Sequence, residues 1–291
     1  MHSAERLTLR GDGLELVADA AGPAGAPTVL FLHGGGQTRK SWGTALQEAA
    51  ARGYRAIALD QRGHGDSNWA PDGDYGIERF AADLRHVMEQ IRPEPVVVGA
   101  SLGGLAGLLA AGAPSSSGAR ATPRGLVLVD ITPRIEREGS KEITAFMDSA
   151  PDGFASLDEA ADAVAAYLPH RRRPRSTEGL RKNLRVRNGR YHWHWDPAFI
   201  RMGREAQARI DPRGPNLFSE AARTLTIPTL LIRGSRSRIV SDAGVREFLE
   251  MVPHAEAVEI PDAHHMVAGD ANDAFNDAVF QFVDKHVGRA Q

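Results

Sequence analysis

Val96-Val97-Val98-Gly99-Ala100-Ser101-Leu102-Gly103-Gly104 is the stretch whose reading decides the fold. The valines read as a short strand that is apolar on both faces. Residues 102–111 are apolar and helix-forming, so Ser101 falls on a strand-to-helix turn. The G-x-S-x-G spacing follows from that geometry. A sharp, strained turn needs residues without side chains two before and two after the serine, so that strand and helix can approach. The turn lifts the hydroxyl above the strand ends at a helix N-terminus, where the helix dipole favours developing negative charge. In a chain with 30 glycines the motif alone carries little; its place between strand and helix gives it weight.

The same texture extends to either side. Residues 7–10 and 14–20, split by Gly11-Asp12-Gly13, read as a hairpin. Residues 28–32, 54–59 and 126–129 are further buried-strand runs, with helices expected over 41–52 and 77–91. The pattern resumes with a strand at 229–232, a helix at 242–251, a strand at 257–260 and a helix at 272–287. Apolar strands alternating with helices imply a parallel sheet covered on both faces. In such sheets ligands gather at the carboxyl ends of the strands, and His33, Asp60, Ser101 and Asp130 all stand there. Between 133 and 222 the texture is different: helical pieces at 143–147 and 157–168, a basic stretch, and Tyr191-His192-Trp193-His194-Trp195, with no buried parallel strand. This is the expected insert, a cap over a core made of residues 1–132 and 223–291.

Composition narrows the function classes. The 291 residues carry 35 basic and 37 acidic side chains, a net charge of -2, which gives no electrostatic reason to expect nucleic acid or an anionic membrane. No apolar run approaches the roughly 20 residues of a membrane span. Residues 1–10 are mixed and polar, without the apolar stretch of a secretory leader. There is no cysteine, so disulfides, thiolate metal sites and cysteine nucleophiles are excluded. No motif calls for a metal or organic cofactor. The expectation is a cytoplasmic monomer or homodimer acting on a small molecule.

If Ser101 is a nucleophile, the oxyanion it generates needs two fixed backbone N–H groups. Leu102 supplies one by position. His33-Gly34-Gly35-Gly36 follows the strand at 28–32, and Gly35 or Gly36 would supply the other, with His33 pinning the loop through its ring nitrogens. The base must follow the last strand, where Asp262-Ala263-His264-His265-Met266 offers two adjacent histidines. His64, His86 and His254 read as surface or loop residues.

With H-G-G-G at 33–36, D-Q-R-G-H-G-D-S at 60–67, G-A-S-L-G-G at 99–104 and H-H-M at 264–266, the chain resembles the α/β-hydrolase superfamily over nearly its whole length. It is most similar to the capped bacterial branch of esterases, peroxidase-like enzymes, epoxide hydrolases and carbon–carbon hydrolases. The resemblance implies a mostly parallel eight-stranded sheet with helices on both faces and a mainly helical inserted cap. It also implies His265 as the base, because in this fold the histidine follows a small residue and precedes a bulky apolar one. Asp60–Ser67 would be a structural turn. Serine at 101 disfavours epoxide hydrolase and dehalogenase chemistry, which need a carboxylate nucleophile.

The third triad member breaks the pattern. The resemblance places the acid near position 238, and the residue there is Arg238. A cation cannot fix the imidazole or stabilise its charged form, and would depress its basicity. Three possibilities stay open: Asp130, at the preceding strand end, where haloalkane dehalogenases among the relatives carry their acid; Asp242, which also suits the start of a helix; or no acid at all. The corresponding functions are a serine hydrolase cleaving an ester, thioester or lactone, a carbon–carbon hydrolase using the same parts, or a binding protein without turnover. Gly36, Trp193 and Trp195 are candidate contacts for an apolar or ring-bearing substrate, although large aromatics also commonly pack as core. His170-Arg171-Arg172-Arg173-Pro174-Arg175 reads as a solvated loop, with binding of an acidic substrate or partner as the other reading.

Overall fold

The computed structural model describes residues 4–113, 121–171, 173, 176–209 and 216–287. The strands of the main sheet are β1 (Glu5–Arg10), β2 (Glu15–Ala21), β3 (Thr28–Leu32), β4 (Arg55–Leu59), β5 (Val96–Ala100), β6 (Gly125–Val129), β9 (Thr229–Gly234) and β10 (Glu256–Ile260). They lie in the order β1-β2-β4-β3-β5-β6-β9-β10, an eight-stranded sheet. β2 is antiparallel to both β1 and β4, and every pair from β4 to β10 is parallel.

The strand pattern has a direct physical cause. Successive side chains point to opposite faces, so a strand covered on both sides must be apolar throughout. Leu30, Leu32, Val97, Leu126, Leu128 and Leu231 pack on one face, under helices Ile77–Glu89 and Leu102–Gly112. Val29, Phe31, Val96, Val98, Val127, Val129 and Ile232 pack on the other, against Gly43–Ala51 and Asn272–Val287. Each such side chain stabilises by about 1.5–3 kcal/mol on burial. The sheet centre therefore carries the stability and holds β5, β6 and β9 level at their carboxyl ends. Hydrogen bonds from Ser101 N to Val129 O (3.1 Å) and from Asp130 N to Ile232 O (2.7 Å) extend that register past the last strand residues.

Between β6 and β9 lie helices Arg137–Met147, Leu157–Tyr167, Glu178–Arg181 and Pro197–Arg209 and an antiparallel hairpin, β7 (Leu184–Arg187) with β8 (Arg190–Trp193), which stays outside the main sheet. This insert has its own apolar cluster of Met147, Phe154, Ala160, Leu184, Trp193, Trp195 and Ile200. Helix Leu217–Arg223, which spans the boundary expected after 222, buries Ala221 and Ala222 in the same cluster as Val97 and Leu108 of the core. A Cβ on Gly112 would lie 2.1 Å from Ala221 O, so the two helices meet in close backbone contact. The loop at 114–118, and Arg172, Pro174 and Arg175 of the basic stretch, lie outside the described residues. No described helix is long and apolar enough to cross a membrane.

Candidate active site

Ser101 occupies the turn that the sequence requires. Its φ is 47° and its ψ -111°, a left-handed conformation that L-residues adopt only under constraint. The constraint is backbone contact. A Cβ on Gly99 would lie 2.4 Å from Gly103 O, one on Gly103 2.6 Å from Leu32 Cβ, and one on Gly104 2.4 Å from Ile131 Cγ2. No side chain fits at any of these positions, and the helix N-terminus is drawn tight under Ser101.

Asp130, the residue after β6, is fully buried and likewise has a positive φ, 50°. Donors from two later loops converge on its carboxylate: Gly234 N on Oδ1 at 3.0 Å, and Ser237 Oγ at 2.5 Å and His265 Nδ1 at 2.8 Å on Oδ2. A carboxylate only accepts, so the His265 proton sits on Nδ1 and Nε2 is left with a free lone pair. The adjacent histidine is turned elsewhere. His264 stacks on His170 of the insert at 3.8 Å, and its backbone N–H donates to Asp270 (3.0 Å). Asp270 also takes Arg171, so the described part of the basic stretch is partly tied to the histidine loop rather than wholly solvated.

The other acid positions face away from this cluster. Arg238 is exposed and paired with Glu142 (2.8 Å). Asp242 opens helix Asp242–Met251, is exposed and pairs with Arg233, while Ser241 caps the helix through Gly244 N. Ser237 is not legible in the sequence; a hydroxyl in a polar loop carries no local signal of its distant partner.

The glycine loop after β3 approaches the serine closely: a Cβ on Gly34 would lie 3.5 Å from Ser101 Cβ. Two of its N–H groups are already engaged, Gly34 N with Gln37 Oε1 (3.0 Å) and Gly36 N with His64 Nε2 (3.1 Å). Among the described residues Gly35 N and Leu102 N have no acceptor, and the Ser101 hydroxyl makes no hydrogen bond. The loop's spare donors are thus narrowed from two glycines to Gly35.

His33 is fully buried, with Nδ1 on Gly34 O (2.8 Å) and Nε2 accepting from Gln61 N (3.0 Å). Burial pushes its imidazole down to about 4, so the ring is neutral. Of the surface-or-loop reading His64 takes the loop and not the surface: it lies in the turn after β4 and is fully buried, and burial together with neighbouring His33 pushes it down to about 3. Its position is fixed by the turn at Asp60–Ser67, whose buried Asp60 takes Arg39 N (2.6 Å), the Arg39 guanidinium and Asp66 N (2.8 Å).

The insert reaches this loop with apolar side chains. A Cβ on Gly36 would lie 2.8 Å from Met147 Cε and 3.2 Å from Trp195 Cζ3, and one on Gly35 3.4 Å from Phe199 Cζ. Trp195 therefore stands at the loop. Trp193 stacks on it at 5.0 Å and packs among Phe146 and Phe154, inside the insert's own core.

A serine on a strained strand-to-helix turn, a histidine bound to a buried carboxylate, and a glycine loop with a spare N–H thus stand at the carboxyl ends of a parallel sheet. Residues 29–278 match the profile of the Alpha/beta hydrolase family, and the chain belongs to that family. It is 33% identical over 254 residues to the esterase Rv0045c of Mycobacterium tuberculosis, across 84% of this chain and 78% of that one. It is 30% identical over 286 residues to the non-heme chloroperoxidase CPO-A1 of Kitasatospora aureofaciens, across 94% and 98%. The crystal structure of E-2-(acetamidomethylene)succinate hydrolase shares the fold, with a TM-score of 0.82 at 22% identity over 97% of this chain and 100% of that one. The chain is an α/β-fold hydrolase enzyme.

Proposed function

We propose that the protein cleaves a carboxylic ester, thioester or lactone through an acyl-enzyme on Ser101. The observation that carries this reading is the 2.8 Å contact of His265 Nδ1 with a buried Asp130 carboxylate. That contact leaves Nε2 as a base. Substrate binding brings the Ser101 hydroxyl into hydrogen bond with Nε2; such contacts often tighten only in the substrate complex. Ser101 attacks the carbonyl as His265 takes its proton, Asp130 stabilises the imidazolium, and Gly35 N–H and Leu102 N–H hold the oxyanion. His265 then protonates the leaving group and activates water against the acyl-enzyme.

The insert acts as the cap. Met147, Trp195 and Phe199 at Gly35 and Gly36 form an apolar wall, which suits an apolar or ring-bearing small molecule; Trp193 supports Trp195 from behind. The names of the relatives, an esterase among them, agree with ester chemistry. Arg238 raises the alternative of an acid-less binding protein, but its guanidinium is taken by Glu142 while Asp130 stands at the histidine.

The test is a panel of p-nitrophenyl esters of increasing acyl length, with fluorophosphonate labelling of Ser101. Wild type should turn over at least the short esters and take the label. Asp130→Ala should lose turnover by orders of magnitude with Ser101 still open to labelling. Near-normal turnover in that variant removes Asp130 as the acid. A wild type with neither turnover nor adduct overturns the reading as a whole.

A further inference from the structure

Three neutral imidazoles grip three successive peptides of the glycine loop. His33 Nδ1–H donates to Gly34 O (2.8 Å), the carbonyl of the peptide whose N–H is Gly35's. The next N–H, Gly36's, is accepted by His64 Nε2 (3.1 Å). The following carbonyl, Gly36 O, faces His194 Nε2 at 3.3 Å. His33 and His64 belong to the core, whereas His194 comes from the insert.

The tautomers follow from the partners, since a neutral ring has one donor and one acceptor. Gly65 N–H donates to His194 Nδ1 (2.8 Å), so His194 carries its proton on Nε2 and donates to Gly36 O. His64 is the opposite tautomer, with Nδ1–H on Arg62 O (2.9 Å). Only 1% of His194 is exposed, and burial drives its ring well below the ordinary histidine range. The ring is held in place from its own chain as well. Asp196 N donates to Gly63 O (3.0 Å), Asp196 Oδ2 accepts from Tyr75 OH (2.7 Å), and Arg185 donates to Gly65 O (2.9 Å). The insert thus seats on the turn that carries His64, and His194 bridges that turn to the glycine loop.

The geometry points to His194 as a positioning residue for the oxyanion site: an imidazole from the insert that fixes the peptide after Gly36 and so makes the aim of Gly35 N–H depend on the insert. Gly36 has a φ of +73°, and no side chain of its own restrains it. With the Gly36 carbonyl released, the loop keeps its two core imidazoles and the Gln37 N–Gly34 O bond across its own turn (3.1 Å), but loses the bond that ties it to the insert. The inference rests on Gly35 N–H being an oxyanion donor.

Loss of one whole oxyanion donor costs about 10²–10³ in kcat, and mis-aiming one costs less. His194→Phe keeps the ring and removes both bonds. We expect its kcat on p-nitrophenyl butyrate to fall about 10–100-fold with KM within about threefold of wild type. His194→Gln restores one donor and one acceptor and should recover most of kcat. A merely structural role predicts instead that both variants lose thermal stability with kcat preserved. The proposal fails if folded His194→Phe keeps kcat within about threefold, if only KM rises, or if Gln does no better than Phe. Should His194→Phe not fold, nitrogen-15 NMR of the wild-type rings decides. A neutral Nε2–H tautomer of His194, unchanged down to pH 5.5, supports the clamp; an Nδ1–H tautomer, or a ring titrating near pH 6.5, overturns it. The same spectra remain decisive if the wild type proves inactive on every ester, an outcome that removes the functional reading separately.

Discussion

Ser101 and Asp130 end neighbouring parallel strands and share a left-handed backbone, at φ 47° and 50°. What imposes that conformation differs. At Ser101 it is backbone against backbone: Gly99 on Gly103, Gly103 on Leu32, with no room for a side chain. At Asp130 it is reach. Gly234, Ser237 and His265, which lie 104, 107 and 135 residues further along the chain, bring donors to the carboxylate, and aspartate tolerates the left-handed region better than most residues. The first device is local and is spelled out in glycines. The second is distributed and can move from one strand end to another without disturbing the sheet.

The largest effect should separate the two carboxylates that compete for the acid's role. Asp130→Asn keeps the shape but cannot hold the Nδ1–H tautomer against a negative charge, and kcat should fall about 10⁴-fold. Asp242→Asn, on an exposed helix start, should leave kcat within about twofold. Steady-state kinetics on one ester compares them, and equal losses would mean that Asp130 is not the acid. The serine side breaks through stability instead. Gly103→Ala forces a Cβ to within 2.6 Å of Leu32 Cβ and Leu32 O, where neither strand nor helix can yield cheaply. A loss on the order of 3 kcal/mol in urea unfolding is expected. A stability unchanged by that substitution means that the turn is looser than the contacts imply.

The same contrast explains what could be read in the sequence. The sheet was legible because burial on both faces forces continuous apolar runs at Thr28–Leu32 and Gly125–Val129, and the serine turn because close backbone approach forces glycine. The base was legible by its place after β10. The sequence leaves the acid open among Asp130, Asp242 and none, because Arg238 marks an absence at one loop and says nothing about which other loop answers it. Ser237 and His64 carry no periodicity, and His194 shares only the two-residue alternation of the 191–195 block, which does not name its partner. A hydroxyl or imidazole that serves a distant polar group looks like any polar loop residue, and in the 191–195 block it is His194, between the two tryptophans, that holds the glycine loop. The far end of the insert is hard to read for a related reason: the small residues Ala221 and Ala222 pack against core helix Leu102–Gly112, and their sequence does not name that partner.

Acid should act on the glycine loop through its imidazoles. His33 is pushed down to about 4 and His64 to about 3, both chiefly by burial, against an unfolded value near 6.5. Below pH 6.5 the unfolded chain binds protons at these rings that the folded chain refuses. Stability is therefore full above that pH and falls as pH drops, down to about 4 for His33 and about 3 for His64. His33 alone accounts for a loss on the order of 3 kcal/mol across its window. Urea unfolding between pH 7.5 and 4.5 measures the slope, and His64→Gln should flatten part of it. A stability that does not change across this range is incompatible with neutral, buried rings on the loop.

Arg238 should give the smallest effect and the finest test of the same contrast. It stands where the family resemblance expects the acid, yet its guanidinium lies in solvent with Glu142 at 2.8 Å, and exposed pairs of this kind contribute about 0–1 kcal/mol. Arg238→Ala should leave kcat within about twofold and stability within about 1 kcal/mol of wild type. A guanidinium felt at His265 would oppose the imidazolium that forms in the transition state, and removing it would raise kcat. An unmoved kcat means that the loop after β9 serves the histidine only through the Ser237 hydroxyl and the Gly234 N–H on Asp130, and that the charge acting on His265 comes from the end of β6. A raised kcat would place Arg238 back in the electrostatics of the site.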